Sequence, residues 1–169
     1  MEAHQRQPKI IAGVDGSDAS VAALRTAHRL AGPLEASVEV WACWDVPPGF
    51  GLYLAVGIEG FEYAAKQVLE QALADVFGQD RPENVQPRLV RGKAGPQLIE
   101  GSRTASLLVV GRRGHAGFVP GSVSAACVSH AYCPVLVVPA PQEDGDEGGV
   151  PTHATAERPS PAKAPRGLP

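Results

Sequence analysis

Strand-type and helix-type segments alternate along the central part of this chain, and this alternation limits its fold more than any other feature. Short apolar runs predict five β-strands, at residues 9–14, 37–44, 85–90, 107–110 and 134–139. Apolar residues at helical spacing predict a helix after each of the first four strands, at residues 17–31, 61–76, around 96–99, and 122–131. This order predicts an α/β fold, a parallel sheet with helices on both faces.

The apolar patterns also predict which residues form the core. Strand four and the Val135 to Val138 run of strand five are apolar without interruption, as expected of parallel strands covered on both faces. The buried faces of the first and last helices are predicted to be Val21, Leu24, His28 and Ala31, and Val123, Ala126, Cys127 and His130. Ligands of such folds bind at the carboxyl ends of the strands.

Charge and cysteine content exclude several classes of protein. A net charge of −3 over 169 residues gives no reason to expect binding to nucleic acid. Cys43, Cys127 and Cys133 are too few for a disulfide framework or a zinc site, and they fit buried thiols in a reducing compartment. A redox role for Cys127 and Cys133 is the weaker alternative. No run reaches the roughly 18 apolar residues that a membrane span needs, so we expect a cytoplasmic protein.

The two ends of the chain differ in composition from its centre. Residues 1–8 are polar and are expected to form a flexible leader. Residues 140–169 hold six prolines, four glycines and no aromatic residue, so they are expected to form a disordered tail, either inert or a tether. One folded domain is expected between them, at residues 9–139.

A glycine-rich loop follows the fourth predicted strand and leads into the last helix. Gly111 and Gly114 allow a ligand to approach the main chain closely. Ser122 begins a helix whose dipole favours negative charge, so phosphate fits this loop. The alternative for Ser122 is that it only caps its own helix. Arg112 and Arg113 either neutralise phosphate or are solvated loop residues.

Asp15 follows the first predicted strand, at the same edge of the predicted sheet. Its carboxylate can accept hydrogen bonds from a ribose or hold a metal that bridges phosphates. It can equally organise the Gly16-Ser17 turn through local backbone hydrogen bonds. The spacing alone does not separate these two roles.

Four motifs together resemble the universal stress protein family over residues 8 to 139. They are Val14-Asp15-Gly16-Ser17, Gly92-Lys93-Ala94-Gly95-Pro96-Gln97-Leu98, the run from Val109 to His115 with Gly121-Ser122-Val123-Ser124, and Cys133-Pro134-Val135-Leu136-Val137-Val138. The resemblance implies a Rossmann-like or flavodoxin-like five-stranded sheet of order 3-2-1-4-5 and a stress-response regulatory protein that binds ATP, with or without Mg²⁺, or another adenine nucleotide. The nucleotide-binding residues that it implies are Val14, Asp15, Ala42, Cys43, Gly111, Arg112, Arg113, Gly114, Gly121, Ser122 and Val123. Within this set, Asp15 would lie near the ribose, the backbone of Ala42 and Cys43 near the adenine, and the glycines and Ser122 around the phosphates.

The chain departs from the family pattern inside the glycine loop. Six residues separate Gly114 from Gly121, where the family pattern has nine. Three fewer residues shorten the reach of the loop by up to roughly 10 Å, and Pro120 removes a backbone donor. Two hypotheses follow, a nucleotide-binding regulator and a dimeric interaction module that has lost its nucleotide. An enzyme is disfavoured, because the chain has neither a Gly-x-Ser-x-Gly elbow nor a P-loop.

Two further segments suggest contacts with other molecules. Residues 46–58 are rich in glycine and proline and lie after strand two, so they form a lid, a partner-binding patch or an ordinary loop. If strand five is at the edge of the sheet, it offers unpaired backbone groups to another chain. Because universal stress proteins commonly pair through this strand, the resemblance implies a homodimer.

Overall fold

A computed structural model of the protein describes residues 7–46, 54–112 and 123–141. Strands and helices alternate there in the predicted order. Their bounds are β1 Lys9–Val14, α1 Asp18–Ala31, β2 Ser37–Trp44, α2 Leu54–Phe77, β3 Val85–Arg91, α3 Ala94–Gly101 with a 3₁₀ turn at Ser102–Thr104, β4 Leu107–Arg112, α4 Val123–His130 and β5 Val135–Pro139. The predicted leader, lid, glycine loop and tail fall mainly outside the described residues.

The five strands form one parallel sheet in the order β3-β2-β1-β4-β5. This order confirms the fold class that the sequence predicts. β1 lies at the centre and pairs with β2 on one side and β4 on the other. The strand order therefore reverses between β1 and β4, which is where ligands of doubly wound sheets bind.

β5 forms one edge of the sheet and carries outward-facing backbone groups. The Leu108 N–H donates to the Pro134 carbonyl at 3.0 Å, so Pro134 faces β4. Backbone groups alternate in direction along a strand, and Leu136 therefore also faces β4, while Val135 and Val137 face outward. Side chains from Val135 to Val138 are all half-buried.

β3 forms the opposite edge and differs in chemistry. The Val38 N–H donates to the Asn84 carbonyl at 2.8 Å. By the same alternation Pro87 falls at an outward position, where the missing N–H removes no bond within the sheet. Pro87 and the neighbouring Arg88 are exposed, and both discourage pairing of this edge with another strand.

The core has two layers, one on each face of the sheet. Ile10, Ile11 and Ala12 of β1 are all fully buried, because helices cover both faces of the central strand. The layer beneath α1 and α2 contains Ile10, Leu24, Val38, Val40, Leu69 and Val109. The layer beneath α3 and α4 contains Ile11, Trp41, Leu98, Leu108 and Cys127.

α1 begins and ends where the sequence predicts. Ser17 caps it by accepting from the Ser20 N–H at 3.2 Å, and Gly32 follows its last residue. The predicted buried face is correct for Val21, Leu24 and Ala31 and partly correct for His28, which is half-buried with its ring edge-on to Phe77. Ala23 and Ala27 are buried as well, so small side chains of α1 also face the sheet.

α2 begins at Leu54, so the expectation of a loop throughout residues 46–58 is wrong for its last five residues. Gly57, with φ of 141°, interrupts the helical geometry near its start. Past this kink the helix runs without interruption over residues 58–77, a length of about 30 Å, which is more than that of the strands beneath it. Leu69, Ala72 and Leu73 of this helix pack into the core, and Val68 lies against the turn that follows β1. No helix among the described ranges is long and apolar enough to cross a membrane.

α4 buries only part of the predicted face, since Cys127 is buried as predicted and Ala126 is half-buried. Ala125 and Cys127 are buried, whereas Val123 is 40% exposed and His130 is also exposed. Alanine and serine occupy half of the positions of this 8-residue helix, so its apolar periodicity is too weak to predict the buried side. Ser122, predicted to start the helix, lies outside the described residues.

Candidate functional site

The carboxyl edge of the sheet is stepped rather than level. The β1–β2 ladder ends with the pair Val14 and Ala42. The β2–β3 ladder continues for two more pairs and ends with Trp44 and Arg91. On the other side β4 continues to Arg112, which pairs with Pro139. The end of β1 therefore lies in a notch between two longer neighbours, at the point where the strand order reverses.

Asp15 organises the turn that follows β1. Its Oδ1 atom accepts hydrogen bonds from the Ser17 N–H at 3.0 Å and from the Ser17 hydroxyl at 2.6 Å. Gly16 has φ of 84°, which favours glycine, and the turn leads directly into α1. The turn-organising role considered for Asp15 is therefore confirmed. Its role toward a ribose or a metal remains a prediction.

Gly111 lies beneath the first turn of α1. A Cβ atom on Gly111 would lie 2.6 Å from the Ala19 carbonyl carbon and 2.7 Å from the Ser20 nitrogen. Both are backbone atoms, which cannot move aside without shifting the helix. The close contact between α1 and β4 thus requires glycine here, a reason that the sequence motif did not reveal.

Ala42 and Cys43 lie where β2 passes the end of β1. Ala42 is buried, and Cys43 is half-buried. Burial raises the pKa of the Cys43 thiol from its ordinary value of 9.0 to about 11, and the thiol of Cys127 contributes to the same shift. The thiol is therefore protonated near neutral pH and is a poor nucleophile.

Trp44 and Arg91 form a pair that the sequence analysis did not single out. The guanidinium carbon of Arg91 lies 5.4 Å from the centroid of the Trp44 ring, within range of a cation–π interaction. The available signal was an aromatic residue at the end of the second predicted strand and an arginine directly after the third. Their pairing could not be found without the register between β2 and β3.

The described part of the site brings together three of the predicted segments. Val14 with Asp15, Ala42 with Cys43, and Gly111 with Arg112 all lie at the carboxyl edge of neighbouring strands. Val123, at the start of α4, is also described and is exposed. The rest of the predicted glycine loop lies outside the described residues, including the six residues between the two glycines. The predicted binding residues that it contains are Arg113, Gly114, Gly121 and Ser122.

No group of three His, Cys, Asp or Glu side chains in the described ranges is arranged to hold a metal ion. Asp15 is the only acidic residue among the predicted binding residues. A protein-held metal cage is thus not formed by this part of the chain. The residues that are described suit main-chain and arginine contacts to an anion better than direct metal coordination.

The strand order defines a flavodoxin-like, doubly wound α/β protein. The notch lies where the strand order reverses, which is where proteins of this class bind their ligands. The model of the universal stress protein family matches residues 8–139. The chain belongs to the universal stress protein family.

One curated relative and two solved structures show how far the similarity extends. A universal stress protein of Mycolicibacterium smegmatis is 32% identical over 142 residues, which cover 76% of this chain and 47% of that protein. The chain therefore spans about half the length of this relative. A universal stress protein in complex with cAMP has a TM-score of 0.61 at 20% identity, covering 79% of this chain and 98% of that chain. The Archaeoglobus fulgidus universal stress protein in complex with dAMP has a TM-score of 0.56 at 20% identity, covering 78% and 97%. Both structures share the fold.

Proposed function

We propose that this chain is a stress-response regulatory protein that binds an adenine nucleotide at the carboxyl edge of its sheet. The observation that carries the proposal is the notch above β1, bordered by Asp15, by Ala42 with Cys43, and by Gly111 with Arg112. Two structures of the same fold were solved with the adenine nucleotides cAMP and dAMP, which supports the same class of ligand here.

In this proposal the nucleotide lies across the notch. The base lies near the backbone of Ala42 and Cys43, and the ribose near the Asp15 turn. The phosphates lie beyond Gly111 and Arg112, against the main chain of Gly114, Gly121 and Ser122. The start of α1 contributes a favourable dipole on this side. Any Mg²⁺ arrives with the phosphates of ATP, and the bound nucleotide is a signal rather than a substrate for rapid hydrolysis.

Thermal unfolding with and without nucleotide tests this proposal. A ligand at 100 times its dissociation constant stabilises the folded state by about 2.7 kcal/mol, so millimolar Mg-ATP should raise the melting temperature by several degrees. AMP and cAMP should be compared with Mg-ATP, since the neighbours hold monophosphates. Inorganic tripolyphosphate is the control for effects of ionic strength and charge. Absence of a shift with all three nucleotides would contradict the proposal.

A second candidate is an interaction module that binds no nucleotide. Two observations favour it, since Asp15 is engaged in its own turn and Gly111 is required by the contact with α1. The six-residue spacing between Gly114 and Gly121 also favours it. Insertion of three residues between Phe118 and Gly121 separates the candidates, because ATP binding that appears only after insertion identifies loop length as the cause of its loss.

We also propose that the protein forms a homodimer through the strand from Val135 to Val138. The backbone of Val135 and Val137 faces outward from β5, and the side chains of the strand are only half-buried. Such an edge is a template for pairing with a second copy. Both candidate functions are compatible with this assembly.

A further inference from the structure

Two planar side chains contact each other at the carboxyl edge, where β2 and β3 extend beyond the end of β1. Trp44 and Arg91 are register partners and form the last pair of the β2–β3 ladder. Trp44 is half-buried and Arg91 is exposed. The guanidinium lies 5.4 Å from the indole centroid, so the negative face of the ring attracts it and both side chains lose freedom to move.

The position of the pair relates it to the notch above β1. The β1–β2 ladder ends at Ala42, two residues before Trp44, so the pair extends past the end of β1. Side chains alternate along a strand, which puts Trp44 on the same face as Val40 and Ala42, beneath α1 and α2. On this face α2 passes over the β1 turn, because a Cβ atom on Gly16 would lie 3.6 Å from Val68. By register, Trp44 and Arg91 therefore lie at the carboxyl edge on the β2 side of the notch.

The backbone that supports the pair is fixed. The Gly92 N–H donates to the Trp44 carbonyl at 2.7 Å and ties the end of β3 to the end of β2. Gly92 has φ of 127°, and the Gln97 amide nitrogen fills the space where a Cβ atom would lie, at 2.6 Å. The chain after Arg91 thus turns tightly into α3, which fixes the backbone at the carboxyl ends of β2 and β3, from which the two side chains project.

We propose that Trp44 and Arg91 form a stacking platform that recognises the base of the bound nucleotide and selects for a purine. This inference rests on the proposed function, since it names the side chains that distinguish one nucleotide from another at that site. Aromatic rings and guanidinium planes both stack on nucleobases, and the larger purine gains more contact area than a pyrimidine. The platform adds base selection to a site whose other predicted contacts come from the main chain, a carboxylate and arginines.

Tryptophan fluorescence of the unmodified protein tests the platform directly. The chain has two tryptophans, and Trp41 is a buried reference, 9% exposed, on the opposite face with its indole N–H bonded to Glu39 at 2.9 Å. ATP should quench the emission of Trp44, and inorganic tripolyphosphate, which lacks a base, should not. Calorimetry on the same samples reports binding independently. Binding of ATP without a change in emission would overturn the platform and leave the proposed function intact. Absence of binding would overturn both.

Substitution of Trp44 measures the contribution of stacking. Trp44→Leu removes the flat ring, and the dissociation constant for ATP should rise about 5- to 150-fold. Trp44→Phe keeps an aromatic plane and should lose much less affinity. Trp41→Phe, on the other face, should leave the affinity unchanged and leaves Trp44 as the only indole emitter. Melting of each variant without ligand checks that it is folded. Equal affinities for ATP in the Leu, Phe and unmodified proteins would refute the inference, as would equal affinities of the unmodified protein for ATP and CTP.

Discussion

Gly111 combines a predicted ligand contact with a packing requirement. The sequence motif suggested glycine because a phosphate approaches the main chain there. The structure adds that the backbone of Ala19 and Ser20 would lie within 2.7 Å of a Cβ atom at this position. Since the packing requirement exists without any ligand, the two roles can be separated by measuring stability in the absence of nucleotide.

We predict that Gly111→Ala lowers the free energy of unfolding by about 1–3 kcal/mol without any nucleotide, because the added methyl group pushes against helix backbone. Urea denaturation of the free protein measures this loss. Gly60→Ala is the matched control, since this glycine is exposed within α2 and its Cβ position meets no atom within 4 Å beyond its chain neighbours and the backbone of its own helix. The control should be neutral or slightly stabilising. Equal stability of the two variants would contradict the packing requirement.

Residue roles could be predicted from the sequence only where they are local. The hydrogen bonds of Asp15 to Ser17 span two positions and were foreseen as one of two alternatives. Glu39 was not foreseen as buried. It is 8% exposed and is paired with Lys9 at 3.5 Å and Arg88 at 3.6 Å, on the strands either side of β2. Such a contact depends on the register between three strands, which no local pattern contains.

Among the elements, the order of strands and helices followed from the sequence because each has its own apolar period. The long unbroken runs of β4 and β5 were the firmest signals. The predicted start of α2 was wrong and the predicted buried face of α4 was right only for Cys127, for different reasons. Glycine at position 57 and the prolines before it suggested a loop, although α2 already begins at Leu54. α4 consists largely of small residues that give little amphipathic contrast.

At the level of a single strand, we predict that Val137→Pro in β5 abolishes the proposed dimer and leaves a folded monomer. The Val137 N–H faces outward, so proline removes a donor for a partner strand and leaves the bonds to β4 intact. Sedimentation velocity measures the assembly. Leu136→Pro is the contrasting variant, because the N–H at that position faces β4 and its loss should lower the stability of the monomer by about 1–3 kcal/mol. A Val137→Pro protein that still sediments as a dimer would place the interface elsewhere.

For the whole molecule, the buried thiols predict a loss of stability at alkaline pH. Burial raises the pKa of Cys43 and of Cys127 from 9.0 to about 11. Between these values the unfolded chain releases thiol protons that the folded protein retains. The stabilising contribution is therefore complete below pH 9 and declines as the pH rises toward 11.

Comparison of the unmodified protein with Cys43→Ala isolates this effect from other groups that titrate in the same range. The free energy of unfolding of the variant should fall less steeply between pH 9 and pH 11. The difference between the two slopes should correspond to at most one proton released on unfolding. Urea denaturation at several pH values gives both slopes. Identical slopes would mean that the Cys43 thiol ionises equally in the folded and unfolded chains.

The contrast between the two sheet borders limits how large an assembly can become. A protein whose sheet can pair at both outer strands adds copies without limit and forms a ribbon. A protein that can pair at only one outer strand stops once two copies have joined. The proline and arginine on β3 mask that border. Joining two copies through β5 would give one continuous ten-stranded sheet with a masked strand at each extremity, and so a closed, finite particle.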